Sequence, residues 1–129
     1  MAIDKHPTAM VLSRQNVPTL DRTKFGSAAG TLKGAYVLSD CDGDAQAVIM
    51  GTGSEIPICL KAQEMLAAKG VKVRVVSVPC MELFDEQDEA YRASVLPSGV
   101  KARVACEAGI RLGWDKYIGI EGKFVGMST

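Results

Sequence analysis

Five places in this sequence hold residue types that could do chemistry. Arg14 ends the run Thr8-Ala9-Met10-Val11-Leu12-Ser13. A fixed guanidinium at a strand end grips a phosphate through paired, charge-assisted hydrogen bonds, and the plainer alternative is a surface arginine. Gly51-Thr52-Gly53-Ser54-Glu55 opens like a dinucleotide fingerprint, with helix amides free to hold a pyrophosphate. The third glycine of that fingerprint is replaced by Ile56, and Ser77-Val78-Pro79 stands where a ribose-reading acid belongs. Glu55 would also compete with a phosphate, so the turn reads as a tight strand-to-helix connection.

Glu82, Asp85, Glu86, Asp88 and Glu89 form an acidic run. It lacks the alternating ligands and central glycine of a calcium loop and reads as a solvated helix start favoured by the dipole. Glu107 stands before Ala108-Gly109 at the carboxyl end of an expected strand, where open α/β sheets bind ligands; capping a neighbouring helix is the alternative. Cys41, Cys59, Cys80 and Cys106 are separated by 18, 21 and 26 residues, without a CxxC pair, and His6 is the single histidine. Zinc ligation is not indicated, and the thiols read as reduced and structural. Only Cys80, before Met81-Glu82, has a setting that would activate a thiol.

The elements that must position these groups follow from periodicity. Thr8 to Leu12 reads as a buried strand, cut off by Asn16 to Gly34, a stretch with no apolar period. That separation assigns the first strand to a different domain. From Ala35 the chain alternates. Strands are expected over 35–39, 46–52, 71–78, 100–106 and 123–126, with Asp42-Gly43-Asp44 as a turn. A helix is expected from an N-cap at Ser54 to about Lys69, burying Ile56, Cys59, Leu60, Gln63 and Ala67, with Pro57 in its first turn and Gly70 as its stop. An acidic helix over 85–95 ends at Pro97, and a short one covers 112–117. Successive βαβ units give an α/β three-layer sandwich with a mostly parallel sheet.

Composition sets the outer bounds. The 129 residues suffice for one domain, and 47% apolar content suffices for its core. Fifteen basic residues balance fifteen acidic ones, and aromatics are few, which argues against a nucleic-acid partner. No apolar run approaches the roughly 20 residues of a membrane span, and Met1 to Asp4 has no signal-peptide pattern. Cytoplasm and plastid both remain open as the compartment.

Ordered blocks then carry a resemblance. Pro7 to Gln15, Gly51 to Glu55, Leu83-Phe84-Asp85-Glu86-Gln87 with Tyr91 and Ser94-Val95-Leu96-Pro97, Ala102-Arg103-Val104, Glu107-Ala108-Gly109, Trp114 and Val125-Gly126-Met127 stand in the order found in transketolases. Together they resemble that family over nearly the whole chain. The Ser-Arg-Gln and Leu-Phe-Asp-Glu-Gln blocks favour it over deoxyxylulose-phosphate synthase and the 2-oxo acid dehydrogenase β subunit.

The resemblance implies that residues 1–15 are the tail of a pyrimidine-binding domain. Residues 16–34 are then a linker, and 35–129 a C-terminal domain stopping short of the family's final segment. Transketolases move two-carbon ketol units between sugar phosphates with thiamine diphosphate and magnesium. Arg14 matches the arginine that binds the substrate phosphate. No segment matches the diphosphate- and metal-binding domain or the glutamate that activates the thiazolium, and Glu107 is not that glutamate. The chain alone is therefore expected to be structural, to carry no catalytic residue, cofactor or metal, and to partner the missing domains in a homo-oligomer. A regulatory nucleotide or anion site at Gly51–Glu55 is the competing reading.

Overall fold

The computed structural model describes residues 7–128. Its centre is a five-stranded sheet of β1 (Tyr36–Ser39), β2 (Ala47–Gly51), β3 (Val73–Ser77), β4 (Ala102–Cys106) and β5 (Lys123–Val125). The strand order is β1-β3-β2-β4-β5. Strands β2 to β5 run parallel, and β1 lies antiparallel on the edge against β3. The central strands read as near-continuous apolar runs because both faces are covered.

One face packs Ile49, Val73 and Val75 against Ile56, Cys59 and Leu60 of α1 (Ile56–Ala67). The other packs Val48, Met50 and Val76 against Phe84 of α2 (Met81–Asp85), Val95 of α3 (Glu89–Val95), and Tyr117 and Ile118 of α4 (Asp115–Ile118). Helices therefore cover both sides of the mostly parallel sheet, as the three-layer reading requires.

Several local expectations are corrected. Thr8 to Leu12 is neither a strand nor buried: the segment is exposed and pairs with no strand among the described residues. An isolated strand cannot satisfy its own backbone, so its β propensity goes unused. The expected linker is not featureless. It contains a 3-10 helix over Ala28–Lys33 capped by Ser27, and Leu20 and Phe25 pack on the α1-side cluster.

The acidic helix over 85–95 is two helices. The Asp88 side chain accepts from the Tyr91 amide at 2.7 Å and starts α3 afresh, the competing local bond that makes aspartate a cap rather than a helix interior residue. The helix expected over 112–117 starts later because Gly113, at φ 87°, is left-handed. On α1, Ala67 is exposed, and Ala62 and Leu66 pack inward in its place.

Candidate functional site

The register aligns the strand ends. Tyr36 pairs with Ser77, Ser77 with Gly51, Gly51 with Cys106, and Cys106 with Val125. This row forms the carboxyl rim of the parallel sheet. From β2 the chain passes to β3 on one side and later to β4 on the other, so the strand order switches between β2 and β4. The loops after these two strands, Thr52–Glu55 and Glu107–Gly109, flank the place where open α/β sheets bind ligands.

What fills the first loop is packing rather than a phosphate cradle. A Cβ on Gly51 would lie 2.8 Å from the Cys59 sulfur and 3.4 Å from the Cys106 carbonyl oxygen, so the glycine lets α1 close down on the strand end. Gly53, at φ 53°, makes the turn into a 3-10 helix, Gly53–Glu55, that precedes α1. Ser54 does not cap α1; its hydroxyl donates to Glu55 Oε1 at 2.7 Å. Glu55, only 8% exposed, is a buried carboxylate at the start of the helix. A diphosphate placed at those amides would meet that carboxylate, so the turn does not suit a nucleotide or the diphosphate of a cofactor. Among the described residues no three His, Cys, Asp or Glu side chains converge as metal ligands.

The second loop adds Glu107, which is half-buried. Burial first, and the Glu55 carboxylate second, raise its pKa above the ordinary value. Burial and Glu55 also raise the Cys106 thiol, while burial and Cys106 push Cys59 up to about 12. These thiols are held in the neutral, unreactive form. All four cysteines are free. Cys80, the candidate for activation, directs its thiol at Glu82 Oε2, 3.4 Å away, a carboxylate rather than a cation.

Arg14 is exposed and has no hydrogen bond or ion pair with a described residue. The neighbouring Ser13 oxygen lies 3.3 Å from the position a Cβ on Gly53 would take, so the Ser-Arg-Gln segment crosses the rim at the β2 turn. The acidic run is dispersed. Asp88 caps α3, and Asp85 pairs with Lys116 and accepts from the Tyr117 hydroxyl at 2.7 Å. Burial opposes the charged Asp85, but the bonds from Lys116 and Tyr117 outweigh it and hold the carboxyl below its ordinary value.

Sequence reading missed the arginines that organise the frame. Arg103 donates to the carbonyls of Val100, Tyr117, Leu96 and Pro97 at 2.8–3.2 Å, tying the ends of α3 and α4 to β4. Arg74 holds both Asp40 oxygens at 2.8 and 2.9 Å and the Ser94 carbonyl at 2.7 Å. Their sign was legible only as basic residues inside strands, a costly place for a charge without partners.

Comparison with known proteins supplies the context for this frame. Residues 34–129 match the family described as "Transketolase-like TK C-terminal domain". Transketolase 1 of Escherichia coli (strain K12) is 51% identical over 123 residues, covering 95% of this chain and 18% of that protein. A solved transketolase from Leishmania mexicana superposes with a TM-score of 0.72 at 42% identity, over 81% of this chain and 15% of its own. A Pichia stipitis transketolase, solved in complex with sedoheptulose 7-phosphate, gives 0.78 at 35%, over 90% of this chain and 16% of its own. The chain thus spans about a fifth of the length of the curated relatives it matches. The competing readings, a regulatory nucleotide or anion module and a domain of a related thiamine diphosphate enzyme, find no support in these matches. This chain belongs to the transketolase family and carries its C-terminal domain.

Proposed function

We propose that the chain serves as the assembly part of a ketol-transferring enzyme and adds one substrate-binding group to it. The observation that carries this is the family match over residues 34–129, together with relatives near 50% identity along 95% of the chain. The complete enzyme uses thiamine diphosphate and magnesium, as the family does. The described residues of this chain do not suit either group, because Glu55 opposes a diphosphate at the only long helix start and no ligand trio converges. The reaction centre therefore belongs to partner domains, and the chain alone is inactive.

Residues 1–15 are the tail of a preceding pyrimidine-binding domain, 16–34 the connection, and 35–129 the C-terminal domain. Arg14 binds the phosphate of the sugar substrate. Its exposure and its lack of a partner among the described residues support this, as does the sedoheptulose 7-phosphate held by the Pichia stipitis relative. The assembled enzyme is a homo-oligomer, housed in cytoplasm or plastid.

The test is a graft. The chain replaces the matched segment of the Escherichia coli relative, and ketol transfer from a ketose phosphate is measured beside the chain alone, both with thiamine diphosphate and magnesium. Activity of the graft and none of the isolated chain is expected. Turnover by the isolated chain would overturn the reading.

A further inference from the structure

Two of the free thiols are brought together by the fold. Cys59 stands on the inner face of α1 and Cys106 ends β4, and both pack in the α1-side cluster. Gly51 lies between them. Its register partner on β4 is Cys106, and the Cys59 sulfur lies 2.8 Å from where a Gly51 Cβ would stand. Because that position carries only hydrogen, no side chain of Gly51 separates the two thiols. Each also acts directly on the other's ionisation, as groups in contact do. The other two thiols point elsewhere. Cys41 donates to the Gly43 carbonyl at 3.8 Å, and Cys80 faces the Glu82 carboxylate.

The pair is asymmetric. Cys59 is 1% exposed and donates to the Met50 carbonyl at 3.9 Å, whereas Cys106 is half-buried at the strand end. A reagent in solution therefore meets Cys106 first, and Cys59 reacts only with what Cys106 brings it. That is the arrangement of an entry thiol with a resolving thiol behind it. The raised pKa of both groups makes the first attack slow at neutral pH, since the thiolate is the nucleophile. Holding the second thiol against the first offsets this, because the closing step is intramolecular.

We infer that Cys59 and Cys106 are a redox pair, closing into a reversible intrachain disulfide when a small disulfide such as oxidised glutathione is present. The Cys106 thiolate attacks one sulfur of the reagent, which forms a mixed disulfide and releases one thiol. Cys59 then attacks the Cys106 sulfur, gives its proton to the departing thiolate and displaces the second thiol. Two electrons pass from the pair to the reagent, whose disulfide becomes two thiols. The bond fastens α1 to the strand that leads into Glu107, so it ties together the elements behind both rim loops. The inference stands apart from the function proposed above and needs only the fold.

The experiment uses the Cys41→Ser/Cys80→Ser chain, whose replaced thiols lie outside the pair. It is equilibrated in mildly alkaline glutathione buffers of graded oxidation, both native and in concentrated urea, and read by intact mass and peptide mapping after acid quenching. The native chain should lose two hydrogens, gain no glutathione and map to a Cys59–Cys106 link that dithiothreitol reverses. Its half-oxidation should need about tenfold less glutathione disulfide, or less still, than in urea, the mark of thiols held together by the fold. Single variants in this background, verified as folded by circular dichroism, test the order. Cys59→Ala should hold one glutathione on Cys106, and Cys106→Ser should leave Cys59 unmodified. A native chain that stays reduced, carries glutathione on both cysteines, links to a second chain or oxidises no more readily than in urea would overturn the pair. Glutathione on Cys59 in the Cys106→Ser variant would overturn its assignment as the inner, resolving thiol.

Discussion

Gly51→Ala is the sharpest probe of what the Gly-Thr-Gly turn is for. An added Cβ would approach the Cys59 sulfur to 2.8 Å. Cys59 is 1% exposed and packed between strand and helix, so it has no space to retreat into. Inserting a methyl group into such packing costs about 1–3 kcal/mol. Against this, Gly51 is not left-handed, so alanine can adopt its backbone and stiffens the unfolded chain, a gain of about 0.4–1 kcal/mol. The two ranges leave a net loss between about 0 and 2.6 kcal/mol, centred near 1.3 kcal/mol, a fall in Tm of roughly 4–6 °C at that centre for a chain of this size. Urea and thermal unfolding monitored by circular dichroism read it directly. Gly51→Ala/Cys59→Ala tests the cause: the new methyl then occupies the space the sulfur vacates, and the double variant should be more stable than the two single losses predict. A stabilising Gly51→Ala, or strictly additive losses, would refute close packing as the reason for the glycine.

The remaining predictions concern the frame and the rim. Arg103→Leu removes the guanidinium that four carbonyls now share, of which Pro97 alone keeps a backbone donor, the Val100 amide at 3.1 Å, and should cost about 2–4 kcal/mol; Arg103→Lys should restore only part, since one ammonium cannot match that fork. Glu107 has a raised folded-state pKa, so between its ordinary 4.5 and that higher value the folded chain holds a proton the unfolded chain releases. Stability therefore falls as pH rises through this window. The Tm difference between Glu107→Gln and wild type, followed from about pH 4.5 to 7.5, should grow in favour of the variant; a flat difference would remove Glu107 from the buried rim.

Much of the frame was legible because its signals are local. The runs at 47–51 and 73–77, the apolar face of Ile56, Cys59 and Leu60, and the stop before Gly70 follow from periodicity and turn chemistry alone. What escaped depends on partners far along the chain. Thr8 to Leu12 has the composition of a strand, but a strand needs a neighbour, and composition cannot report whether one is at hand. Asp88 was legible as an acid, not as the cap that divides one acidic helix into two. Arg74 and Arg103 act on carbonyls brought near by folding, which no spacing rule exposes. At the rim, Glu107 and the Gly51–Glu55 turn were both singled out from sequence, but their convergence was not. It follows from the parallel register that sets Gly51 beside Cys106.

The most direct test of the account is the kinetics of Arg14→Ala in the grafted Escherichia coli enzyme. Arg14 is assigned to a phosphate remote from the reacting carbons, so its loss should raise KM for a phosphorylated sugar about tenfold or more, with kcat held within a few-fold. The result that would contradict the account is an unchanged KM, or a collapse of kcat with KM intact.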